Sequence, residues 1–160
     1  MTKKLFTLLL VITISAIGAM AQNAIRWRTT VKMTSPTEGV LTVKAIIAEG
    51  WHLYSTDLPQ GGPVPTTFDF KKSHGLTFTS PFKASAKVVS KNDETFGMTL
   101  NWWENNVTFT RTFRLTGAAE QAEILGSIRY MACNDATCLP PKTENVRLQI
   151  KPYAAPAKKK

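Results

Sequence analysis

Apolar and polar residues alternate with a period of two along most of this chain, and no stretch carries a convincing helical period. In Ile25–Met33, Ile25, Trp27, Val31 and Met33 fall on one side, and Arg26, Arg28, Thr30 and Lys32 on the other. Residues 40–48 repeat the pattern beyond Ser35-Pro36-Thr37-Glu38-Gly39, a turn by composition, so the two runs predict antiparallel strands. Further short strands are expected at residues 51–54, 66–70, 76–79, 84–89, 98–103, 107–115, 122–130 and 146–150, with the run before Cys133 also readable as a strand over 127–133. Residues 55–63 are rich in strand breakers and are expected to form an exposed loop. About ten short strands with frequent turn signals predict an all-β chain folded as an immunoglobulin-like two-sheet β-sandwich.

Residues 1–21 break the alternation. Lys3 and Lys4 precede an apolar run from Leu5 to Ile17 and then Ala19-Met20-Ala21, the layout of a secretory signal cleaved before Gln22. The run is too short to span a bilayer comfortably, and no cysteine lies near the cleavage point to carry a lipid. The expectation is an exported, periplasmic chain that is not membrane-anchored after signal cleavage, with one domain over residues 22–151 and a disordered basic tail over 152–160.

Without Lys3 and Lys4 the formal net charge of +9 falls to +7. That charge suits acidic partners or a membrane surface, although Lys158, Lys159 and Lys160 concentrate part of it in the tail. No clustered arginine and aromatic pattern points to nucleic acid, so none is expected as a partner.

The only cysteines, Cys133 and Cys138, have four residues between them. A ring that small stabilises a fold by only about 2 kcal/mol in the chain-entropy model, which makes it a poor staple. Asn134 to Thr137 has hairpin-loop composition, which would set the cysteines across its base at about 4.5 to 5.5 Å between Cα atoms, within bonding range. Pro140 and Pro141 keep the following chain extended and argue against a helical Cys-x-x-Cys arrangement. Two sulfurs placed so can exchange disulfides or form a passive clip, and spacing alone does not choose.

Tyr130, Cys133, Cys138 and the Pro140-Pro141 that follows resemble the N-terminal periplasmic domain of the DsbD thiol:disulfide reductases, an immunoglobulin-like domain that passes electrons through one cysteine pair. The loop between the cysteines is one residue shorter than is usual there. The resemblance implies a protein-disulfide reductase type of electron relay, in which Cys138 forms mixed disulfides with partners and Cys133 resolves them. It implies thioredoxin-fold periplasmic proteins as partners, with a membrane electron donor acting in trans, and it calls for no cofactor.

Residues 92–97 have the composition of a hairpin connection. Asp93, Glu94, Phe96 and Gly97 also resemble the family's cap loop, in which an acidic pair precedes aromatic residues and a glycine, and the aromatic covers the disulfide. Thr95 stands where a second aromatic is usual. A carboxylate there would disfavour a thiolate. Gly50-Trp51-His52-Leu53-Tyr54 is similar to the family's glycine-aromatic segment, with Trp51 and His52 where tyrosines are frequent. Trp51, Tyr54 and Tyr130 are therefore the expected flanking aromatics, although residue type alone makes Trp51 and Tyr54 core or rim aromatics.

Two rivals remain: a non-enzymatic immunoglobulin-like binding module with a structural hairpin disulfide, and a soft-metal protein. Cys133, Cys138, His52 and His74 could compose a Cys2His2 set, and Met131 would favour Cu(I). The histidine spacing fits no zinc module, and no metal site is assigned.

Overall fold

The computed structural model describes residues 24–155, so the expected signal segment, residues 1–21, and the terminal lysines lie outside the described residues. Among the described residues twelve strands follow in order: β1 (Ile25–Met33), β2 (Glu38–Ile47), β3 (His52–Tyr54), β4 (Thr67–Asp69), β5 (Leu76–Phe78), β6 (Lys83–Ala84), β7 (Val89–Asp93), β8 (Met98–Trp103), β9 (Val107–Leu115), β10 (Glu123–Tyr130), β11 (Ala132–Cys133) and β12 (Lys142–Gln149). A 3-10 turn at Ala119–Gln121 leads into β10. The fold is an immunoglobulin-like β-sandwich, and every strand pairing in it is antiparallel.

One sheet has the order β1-β2-β9-β5, with β6 also on β9. The others have the orders β12-β10-β4 and β11-β3-β8-β7. The alternation seen in sequence sets the inward face: Leu41, Val43, Ala45 and Ile47 of β2 are buried while Lys44 between them is exposed. Phe109 and Phe113 of β9 stand opposite Val43 and Gly39, and Ile124, Ile128 and Val146 join them from β10 and β12. Each such aliphatic or aromatic side chain contributes roughly 1.5–3 kcal/mol by leaving water.

Twice the chain changes sheet within a run that the alternation predicts as one strand. The strand expected at residues 84–89 divides, because β6 pairs β9 in the first sheet whereas β7 pairs β8 in another. Trp103 Nε1 donates to the Ala86 carbonyl and pins that crossing. Likewise β10 ends at Tyr130, and after Met131 the chain joins β3 as β11, with Ala132 opposite Leu53 and Cys133 opposite His52. A crossing of this kind keeps the alternation intact, which is why one strand is expected where two form.

The loop over residues 55–63 is less exposed than its composition suggests. Ser55 and Pro63 are buried and Leu58 packs inward, since the Thr66 hydroxyl and the Ser55 amide tie its two ends to Tyr54 and Asn101. At the other end of the chain, Tyr153 packs against the main core.

Candidate active site

The sheet β11-β3-β8-β7 has two different faces. Leu53, Trp103 and Ala132 point into the main core, and the residues between them point away from it. On that outer face Tyr54, Leu100, Trp102 and Cys133 form a second, smaller cluster, with Leu58, Phe96, Met98, Met131 and Cys138 packed against it.

Cys133 and Cys138 are joined in a disulfide, with Cα atoms 4.0 Å apart. They face each other as an antiparallel bridge at the base of a four-residue loop. The loop forms because the Asn134 side chain accepts from the amides of Ala136 and Thr137, while the Asn134 amide donates to the Thr137 carbonyl. β11 is an edge strand, so the pair sits on the rim of the sheet. The two sulfurs differ in access: Cys133 is 2% exposed, whereas Cys138 is partly exposed.

Beside the pair, the turn between β7 and β8 holds residues 94–97, and Gly97 supplies the positive φ of 63° that closes it. Asp93, 9% exposed, anchors this turn from below. One of its carboxylate oxygens accepts from the amides of Thr95 (2.9 Å) and Phe96 (3.2 Å), and the other accepts from the Tyr54 hydroxyl at 2.8 Å. Burial, and then the hydrogen bond to Asp93, push the Tyr54 hydroxyl well above its ordinary pKa. The Phe96 ring meets Tyr54 edge-on at 6.1 Å. Glu94, by contrast, is exposed.

Trp51 and Tyr130 lie elsewhere. Both pack with the main core, where Tyr130 meets Trp27 at 5.4 Å, so of the three flanking aromatics only Tyr54 stands on the cysteine face. His52 does stand there, stacked on Trp102 at 4.7 Å and edge-on to Tyr54 at 5.1 Å. The signal for it was available in the alternation, because His52 and Tyr54 are two residues apart on one strand. Trp102 shares the face by the same count on β8. His74 pairs with Glu123 at the far end of β10, so the candidate Cys2His2 set does not converge. Among the described residues no group of three or more His, Cys, Asp or Glu side chains is placed to hold a metal ion.

Such a site can open and close one S–S bond at a sheet rim, with one sulfur reachable and a turn alongside. Residues 21–150 match the family model of the N-terminal domain of thiol:disulfide interchange protein DsbD. The chain belongs to that family. Among solved structures it is similar to the N-terminal periplasmic domain of ScsB from Proteus mirabilis, with a TM-score of 0.55, 14% identity, and coverage of 83% of this chain and 49% of that one. It thus spans about half of the ScsB chain, and the likeness is one of fold. The GAE domain of yeast GGA1 aligns more weakly, at a TM-score of 0.46 and 9% identity over 79% of this chain and 93% of that one. No curated protein matches the chain. Membership of the DsbD N-terminal family makes this a thiol-disulfide exchange domain. No helix among the described residues is long and apolar enough to cross a membrane.

Proposed function

We propose that this domain relays reducing equivalents in the periplasm, taking them from a membrane donor and passing them to thioredoxin-fold proteins through Cys133 and Cys138. The observation that carries this reading is the unequal access of two bonded sulfurs on a sheet rim outside the main core. A reachable Cys138 suits attack on a partner disulfide, and a buried Cys133 suits resolution of the mixed disulfide from within. Pro140 and Pro141 follow Cys138 and donate no backbone hydrogen bonds, which leaves its side of the bridge open to a docking chain. Asp93 and Phe96 act in this reading as anchor and cover of a lid that a partner moves aside, and Glu94 adds charge at its outer edge.

The test is the reduction potential, measured by equilibrating the protein in dithiothreitol redox buffers. An exchange pair should lie above about −300 mV, and a value below that would assign the bond to a structural clip. The division of labour has its own readout: Cys133→Ser should accumulate mixed disulfides with a thioredoxin-fold protein, and Cys138→Ser should accumulate almost none. Equal trapping by both would overturn the roles while leaving exchange intact.

A further inference from the structure

Two buried side-chain nitrogens among the described residues lack a hydrogen-bond partner: Trp27 Nε1, in the main core, and His52 Nε2, on the cysteine face. A buried polar atom left so costs roughly 1–3 kcal/mol. His52 is the register partner of Cys133, and directly opposed residues on one face of an antiparallel pair have Cβ atoms about 4.5–5.5 Å apart. While the disulfide stands, Cys133 offers this nitrogen no donor. A bonded sulfur carries no proton and cannot donate, whereas reduction gives Cys133 an S–H that can donate to the lone pair of a neutral imidazole.

We propose that His52 is the proton acceptor for Cys133, receiving its thiol proton as Cys133 resolves the mixed disulfide held by Cys138. The inference rests on the exchange reading above. In the first step the Cys138 thiolate attacks a partner disulfide: the Cys138–partner S–S bond forms, the partner's own S–S bond breaks, and one partner thiolate leaves and is protonated. In the second step Cys133 gives its proton to His52 and attacks the Cys138 sulfur. The Cys133–Cys138 bond forms, the bond to the partner breaks, and the second partner thiolate leaves, taking up a proton that His52 returns directly or through water. The domain loses two electrons and two protons, and the partner disulfide gains them.

The surroundings of the ring suit this task. Burial holds His52 below its ordinary value, so it is neutral and able to accept near pH 7. Asp93 from β7, Glu104 beyond β8 and Asp135 from the hairpin loop favour the imidazolium once it forms, and Lys91 opposes it. Lys91 is paired with Glu104 at 3.1 Å, which blunts that opposition. The groove between the two loops, lined by His52, Asp93, Glu94, Glu104 and Asp135, gives the ring a path to water.

Even a thiol of ordinary pKa is only about 3% ionised at pH 7, and burial disfavours the thiolate further, so a neighbouring base can speed resolution by about thirtyfold or more. As pH rises the thiol ionises unaided and the advantage should shrink. The experiment mixes fully reduced protein with oxidised glutathione, quenches with acid, and follows the glutathione adduct by mass spectrometry from about pH 6 to about pH 10. His52→Gln and His52→Phe, the latter preserving a ring against Trp102, should each lengthen the adduct's lifetime about tenfold or more at pH 7, with the gap from wild type narrowing toward the alkaline end. The adduct's formation rate in a Cys133→Ser background should not change with His52. Equal lifetimes at pH 7 in either folded variant, or a difference that does not narrow as pH rises, would overturn the role of His52 and leave exchange standing. Failure of wild type itself to form and resolve an adduct would overturn the exchange reading, and this inference with it.

Discussion

The main core and the outer cluster are built from one set of strands but by different rules. Inside the sandwich, Leu41, Val43, Phe109, Ile124 and Ile128 are sealed from solvent and need nothing but shape. On the outer face, Tyr54 and Cys133 are buried as deeply, but a charged group lies among them, and the cover over that charge is a turn of four residues. Asp93 serves both the floor, through the Tyr54 hydroxyl, and the cover, through the amides of Thr95 and Phe96. A region held by directed hydrogen bonds can open without melting the sandwich. One held by continuous apolar packing cannot.

The contrast breaks most visibly in the core. Phe109→Ala removes a ring that contacts Trp27, Phe68 and Trp103, and should cost about 3–5 kcal/mol in chemical denaturation while leaving the reduction potential of the folded protein where it was. A shifted potential would mean that the two regions are coupled. Reducing the disulfide should matter less, about 2 kcal/mol, because its ring is so short and the core stands on its own. Loss of the cooperative thermal transition in excess reductant would instead make the pair a staple.

Asp93→Asn should cost about 1–2 kcal/mol and speed reduction of the disulfide by dithiothreitol, since the lid loses its charged anchor. It should also move an alkaline titration. The Tyr54 pKa is raised in the folded state, so its contribution to stability is complete below the ordinary tyrosine value and is lost as pH climbs through the elevated one. Without the carboxylate only the burial effect remains, so Tyr54 should ionise at lower pH by ultraviolet absorbance, and the alkaline limit of stability should fall with it. Smallest of all, Phe96→Ala should change stability by less than about 1 kcal/mol, because the ring is only partly buried, yet still accelerate reduction of the disulfide. An unchanged rate would leave the turn a connection and nothing more.

Much of this molecule was legible from alternation alone. β1, β8 and β9 carry the bounds their patterns predict, and the hairpin bearing the cysteines follows from Asn134 and the residues after it. The crossings near Ala86 and at Met131 were not legible, since a strand that changes sheets without changing its alternation leaves no mark in composition. The same gap explains Trp51 and Tyr130. The family resemblance made them candidates for the cysteine face, but which face a residue joins depends on pairings that a single strand's pattern does not contain. His52 was discounted for the opposite reason, because a lone histidine has no motif and is seldom a proton carrier or a ligand, and its place opposite Cys133 came only with the ladder.

The single-residue crossing at Met131 also bears on how this domain tolerates insertion and deletion. Tyr130 and Ala132 face the core and Cys133 faces out, so the location of the sulfur depends on whether an odd or an even number of residues precedes it. One residue added between Tyr130 and Cys133 would turn the cysteine inward and leave the rim without its buried sulfur, whereas two added together would restore the facing at the cost of a bulge. The loop from Asn134 to Thr137 carries no such constraint, because it lies beyond both ladders. Its length is therefore free to drift, and with it the chemistry of the bond it closes, while the count of residues before Cys133 is not.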